Sequence, residues 1–189
     1  MNLDRRSLAV ALAGTTTALL ASRSALAQQT EHRTQGQASP MQSPQALQGA
    51  TREQLMAMAH EGGTFLLQTA RMGLERAQRA EVKRFAQFEA NEQQGLARAM
   101  ELAGHRMPEV QLQGEKARMV QQLRGANGAE FDRLFLQAQN TGHSEALNVY
   151  AAMAEAGGVP AAERIIALLA YDRVREHLID IETLQNQRA

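Results

Sequence analysis

The chain has 189 residues, 20 Lys and Arg against 20 Asp and Glu, and no cysteine. That length suits one domain with a tail, and the missing cysteines exclude disulfides, thiolate zinc sites and a cysteine nucleophile. The neutral balance leaves no electrostatic footprint for nucleic acid, and 4% aromatic residues with no Trp give no stacking platform for bases.

Residues 1–27 read as a secretory signal peptide. Arg5 and Arg6 supply a basic start, residues 8–20 an apolar run, and Ala25-Leu26-Ala27 a small-residue cleavage site. The run is softened by Gly14 and Thr15, so it is too short and polar for a good membrane span. Arg5-Arg6-Ser7-Leu8 also resembles a twin-arginine signal. The expected location is therefore the periplasm, by the general or the twin-arginine route. Cleavage after Ala27 leaves 162 residues; losing Arg5, Arg6, Arg23 and Asp4 turns 20 against 20 into 17 basic against 19 acidic.

Residues 28–50 are rich in Gln, Ser, Pro and Gly and cannot bury enough surface to offset their ordering entropy. They read as a disordered tether. From Thr51 helix formers dominate, with no sustained period-2 alternation. A first helix is expected from 51 to about 79, opened by a Thr51/Gln54 capping box and kinked or split at Gly62-Gly63. Its inner stripe is Leu55, Ala59, Leu66, Ala70, Gly73 and Ala77. A second helix runs from 81 to 102, with Gly104 as its C-terminal cap. A third starts after Asn127, whose spacing to Glu130 suits a cap, and ends before Gly157-Gly158. A fourth starts at Pro160 and continues to about 184.

The loops between helices one and two, and three and four, are very short, which makes each pair an antiparallel hairpin. The connection over 105–127 is long, with a short helix of its own expected at 115–124. Two hairpins joined by one long crossover is the ferritin-like form of the four-helix bundle, so the expected class is all-α over residues 51–189.

Polar residues fall on faces that should be apolar. On the second helix Glu89 sits within the stripe Val82, Phe85, Ala86, Leu96 and Met100, with Gln93 beside it and Glu92 at its edge. On the fourth, His177 sits within Ile166, Ala170, Val174, Ile181 and Leu184, with Arg173 at the margin. On the third, His143 and Tyr150 lie at one edge of Phe131, Phe135, Ala138, Ala146, Val149 and Met153. A charge inside a bundle is costly unless paired, hydrogen-bonded or bound to metal. Glu89, Glu92, His143 and His177 are thus candidate ligands for Fe, Mn or Zn. The alternative is a purely structural cluster with Glu89 bonded to Arg173 or His177. Direct ligation requires these side chains to lie within about 8 Å of one another, since metal–N/O bonds are about 2 Å.

No nucleophile elbow, P-loop or dinucleotide fingerprint occurs, and nothing is placed to orient Ser144 against His143. The methionines are spread out and read as core filling. His32, His60 and His105 read as surface residues.

Three stretches carry a family resemblance: AEVKRFAQF at 80–88, GAEFDRLFLQAQNTGHSEAL at 128–147 and REHL at 175–178. Phe131-Asp132-Arg133 followed by His143 is the most specific part. Over residues 53–184 the chain resembles an exported bacterial family, domain of unknown function family 4142, with a ferritin-like bundle and no established biochemical role. The resemblance implies that His143 and His177 match histidines on the third and fourth helices. It also exposes departures: Leu66 stands where an inward Glu is common, Asn91-Glu92 where Asp-His is common, and Tyr171-Asp172 where Leu-Pro is usual. A dinuclear ferritin-type site wants Glu-x-x-His on two helices; here Val174 stands three before His177. At most a degenerate or mononuclear site is expected.

The first functional expectation is a periplasmic, non-catalytic binding or interaction protein of the cell envelope, because no catalytic constellation is complete. The second is a metal-binding ferritin-like protein with a carboxylate–histidine site in its core. A third is a homo-oligomer docked through small residues such as Ala59, Ala70 and Gly73.

Overall fold

In the computed structural model, residues 47–106 and 110–187 are described. The expected signal peptide and most of the expected tether lie outside them. Five helices and no strand occur among the described residues: α1 (Arg52–Arg76), α2 (Ala80–Leu102), α3 (Gly114–Gly125), α4 (Gly128–Glu155) and α5 (Ala161–Asn186). The protein is an all-helical bundle. None of these helices is long and apolar enough to cross a membrane.

The capping box is made as the sequence requires. Thr51 Oγ1 accepts from the Gln54 amide, and Gln54 Oε1 accepts from the Thr51 amide. The expected break at Gly62-Gly63 does not occur, and α1 runs through both glycines. It ends at Arg76, three residues early, because the chain turns there into α2. The α2 N-terminus has no cap of its own. Asp132 of α4 supplies one, accepting from the Gln78 and Arg79 amides at 2.8 and 2.9 Å. Asn127 occupies the cap position of α4, but no side-chain cap bond forms there. Its Oδ1 instead accepts from Arg76, which also binds the carbonyls of Leu123, Arg124 and Ala126 at the end of α3.

The helix α4 is the centre of the packing, touching α1, α3 and α5; α1 also packs on α2, and α2 on α5. Two apolar clusters result. One gathers Phe65, Phe85, Leu123, Phe131, Phe135 and Ile181. The other gathers Leu55, Met100, Val149, Met153, Ala167 and Val174, with Leu47 and Ala50 packed against it. Along α2, α4 and α5 the buried polar residues Glu89, Gln93, Gln139, His143 and His177 fall between the two clusters. Close approach of the helices depends on missing side chains. A Cβ on Gly142 would lie 2.5 Å from Leu66, and one on Gly73 would lie 2.8 Å from Ala86 and Phe135. Ala70 and Gly73 are therefore used within the chain, packing α1 against its own neighbours.

Candidate metal centre

Glu89, His143 and His177 converge, one from each of α2, α4 and α5. All three are buried, and one ligand atom from each lies within 4.8 Å of the others. His177 Nδ1 is 2.9 Å from Glu89 Oε2. His143 Nε2 is 3.2 Å from the same oxygen and 3.0 Å from His177 Nδ1. Three donor atoms thus form a triangle. Atoms bound to one metal at about 2.0–2.1 Å stand roughly 3 to 3.4 Å apart, so the triangle already has the size of a coordination face.

The imidazoles are held in orientations that suit this. His143 Nδ1 lies 2.8 Å from the Gln139 carbonyl. A carbonyl only accepts, so Nδ1 carries the hydrogen, and Nε2 faces the triangle. Gln139 is fixed in turn: its amide donates to Thr69 Oγ1 at 2.8 Å, and Thr69 donates to the Phe65 carbonyl. His177 is held from its far side. Its Nε2 is 3.4 Å from Glu92 Oε2, which also lies 3.4 Å from the Arg173 guanidinium. Gln93 donates to Glu89 Oε1 at 3.0 Å, leaving Oε2 to the histidines. Phe85 closes the layer, its ring centroid 5.3 Å from that of His177.

Electrostatics follow from this geometry. Burial alone would raise the Glu89 carboxyl, but His143 and His177 outweigh it and hold the group at about 2. Burial opposes charging of His177, yet the Glu89 hydrogen bond and the Glu89 and Glu92 charges raise it overall. Burial raises Glu92, with His177 and Arg173 acting against it.

Of the four candidate ligands, three therefore meet directly. Glu92 stands behind His177, at its outer nitrogen, and is partly exposed. Arg173 is not the partner of Glu89; it pairs with Glu92 and Glu176. Leu66, at the position of the missing inward Glu, is fully packed against the Gly142 backbone. At the level of the triangle α1 presents Gly63, where a Cβ would sit 3.0 Å from Gln93 Oε1. The centre thus draws on three helices and a backbone.

Two histidines expected on the surface are placed otherwise. His105 lies 2.9 Å from the buried Glu163, beside Arg52. His60 lines a small cavity between α1 and α2. Asp132, noted in the sequence only as part of a motif, is the cap that fixes where α2 begins.

No curated protein and no solved structure matches the chain. A family model described as Domain of unknown function (DUF4142) matches residues 36–184, which is 149 of the 189 residues. The chain belongs to the DUF4142 family.

Proposed function

We propose that this protein is an exported, periplasmic metal-binding protein of ferritin-like architecture, holding one Fe, Mn or Zn ion in its core. The observation that carries the reading is the triangle of Glu89 Oε2, His143 Nε2 and His177 Nδ1 at 2.9–3.2 Å, with no Lys or Arg among the described residues bonded to the carboxylate. Glu89, His143 and His177 would hold the ion; Gln139, Glu92 and Gln93 would orient them. Two imidazoles and one carboxylate suit these metals and leave coordination positions open to a small ligand, the chemistry that storage or weak oxidase activity would use. The cost of the layer supports the reading too. Gln139 Oε1 is buried without a partner among the described residues, and such an atom costs about 1–3 kcal/mol. An apolar layer would pack more cheaply, so the polar one needs another reason to persist.

The ferritin-like topology is supported by the order of the two apolar clusters along the helices. The order reverses between α1 and α2 and between α4 and α5, and the long connection between α2 and α4 contains α3. The signal-like residues 1–27 and the polar stretch that follows support export and a tether.

Elemental analysis tests the metal. Protein purified without chelator or affinity histidines is expected to carry close to one ion per chain, and a His143→Ala, His177→Ala variant none. A folded, metal-free wild type that also fails to take up Fe(II), Mn(II) or Zn(II) on dialysis would sink the proposal. Periplasmic fractionation and the N-terminal mass test export; a cytoplasmic, uncleaved chain counts against it.

A second reading, a non-catalytic interaction protein of the cell envelope, draws on the exposed apolar residues Ile165, Leu168, Leu169 and Ile179 of α5. Cross-linking in the intact envelope from cysteines placed at Leu169 and Ile179 tests it. An absence of adducts would remove its support.

A further inference from the structure

Beside the metal layer lies a second space that the triangle does not use. A cavity of about 130 Å³ opens between α1 and α2, walled by Met56, Leu67, Leu96 and Met100. Among the described residues, no Asp, Glu, Lys or Arg lines it. Its polar groups include Gln93 and Tyr150. Tyr150 is 4% exposed, and its hydroxyl has no hydrogen-bond partner among the described residues. The residue lines the cavity, so its hydroxyl is a donor and acceptor that a group there can engage. Burial, with the Glu89 and Glu92 charges behind it, pushes the phenol of Tyr150 up and keeps it neutral.

The shape and chemistry select the occupant. Cavities of about 150 Å³ lined by aliphatic side chains take up a molecule the size of benzene. Here a few polar side chains, His60, Thr64, Gln93 and Tyr150, stand on a largely aliphatic wall, as in small-molecule sites generally; the Thr64 hydroxyl is already spent on the His60 carbonyl. We propose that this cavity is a binding site for a small, neutral, largely apolar molecule bearing one hydroxyl, of about the size of phenol, with Tyr150 and Gln93 as its hydrogen-bonding groups. The site stands whether or not the triangle holds a metal. It also touches the triangle: Gln93 donates to Glu89 Oε1, so an occupant that engages Gln93 alters how Glu89 is held.

The test uses phenol and toluene as probes of the full chain, with methionine methyl groups and histidine imidazoles observed by NMR. Phenol is expected to shift the Met56 and Met100 methyl signals saturably, with the His143 and His177 signals following at the same midpoint. Phenol should bind roughly fivefold tighter than toluene, the worth of about one hydrogen bond. Tyr150→Phe should shrink that preference while leaving toluene binding intact. Ala97→Phe on α2 and Ala59→Leu on α1 fill the space from opposite sides and should each abolish both shifts; comparing two plugs guards against one of them misfolding. No saturable shift in the wild type, or shifts that survive both plugs, overturns the site. Methionine shifts without imidazole shifts overturn the coupling to Glu89. Equal binding of phenol and toluene overturns the hydrogen-bonding role of Tyr150 and Gln93.

Discussion

Glu89 and Glu163 are buried to nearly the same degree, 0% and 2% exposed, and they are neutralised in opposite ways. Arg52 reaches Glu163 with Nε and Nη2, in bonds of 2.7–3.1 Å, and His105 approaches at 2.9 Å. That guanidinium satisfies the carboxylate whatever the histidine does. Among the described residues, Glu89 has no such cation. Its partners are two imidazoles and one amide, and the imidazoles face it with nitrogen lone pairs or with protons that a metal can displace. On the proposed reading, the contrast separates a strut from a receptor. The Arg52–Glu163 pair ties the start of α1 to the start of α5. Among the described residues the Glu89 triangle has no permanent positive charge, the term that a bound cation would supply.

The most severe break in that contrast removes the imidazoles. His143→Ala or His177→Ala is expected to take bound metal from near one per chain to none, by elemental analysis. Supplying the missing charge is a subtler route to the same end. Gln93→Lys would place an ammonium beside Glu89 in place of the Gln93 amide, and metal uptake should fall by at least tenfold. Uptake unchanged by the lysine would mean that the absence of a cation is not what makes the site receptive.

Next in size is the packing behind the triangle. Gly142 precedes His143, and a methyl group there would meet Leu66 at 2.5 Å and Phe65 at 3.1 Å. Gly142→Ala should cost about 1–3 kcal/mol by overpacking. It should also weaken metal binding, because α4 must move off α1 and carry His143 with it. Thermal unfolding and a metal titration on the same sample check both effects. A loss of stability with unchanged affinity would show that the triangle tolerates the shift.

Glu92 sharpens the comparison further. Behind His177, it should act on metal through the imidazole, and such partners are worth about 10–100-fold in affinity. Glu92→Gln is expected to weaken metal by an amount in that range without changing stoichiometry. Loss of the ion altogether would make Glu92 a ligand. The pH dependence has a definite sign. Metal must displace the proton on His177, which is held more firmly than on a free imidazole. Affinity should therefore rise as pH increases through the raised value and level off above it. A flat profile would mean that no histidine proton is exchanged.

Most of the triangle is legible in the sequence because helices keep a 3.6-residue period. Glu89 and His177 fall amid apolar stripes, and a charge there must face the core. Glu92 shows the limit of the same pattern. Three residues from Glu89 is about 60° of rotation, and periodicity cannot tell a residue inside the triangle from one behind it. Gly62-Gly63 looks like a break because glycine weakens an isolated helix; tertiary packing overrides that cost. His105 follows α2, outside any periodic segment, so nothing in the sequence marks its contact with Glu163. Asp132 looks like an ordinary acid in the first turn of a helix. That it caps a different helix is a fact of tertiary structure alone.

The smallest effect on metal is expected at the strut, and its smallness is what makes it informative. Arg52→Ala leaves Glu163 buried with only His105 beside it, so the ends of α1 and α5 should loosen and the melting temperature should fall by a few degrees. Metal stoichiometry and affinity should not change, because the strut shares no side chain with the triangle. Melting curves recorded with and without Zn(II) then give a clean separation. A ligand that binds only the folded state adds a stabilisation set by its concentration and affinity. That increment should be the same in Arg52→Ala as in the wild type, and absent in His177→Ala. An increment that shrank in Arg52→Ala would mean that the two glutamates are not independent, and that the strut sets the geometry of the receptor.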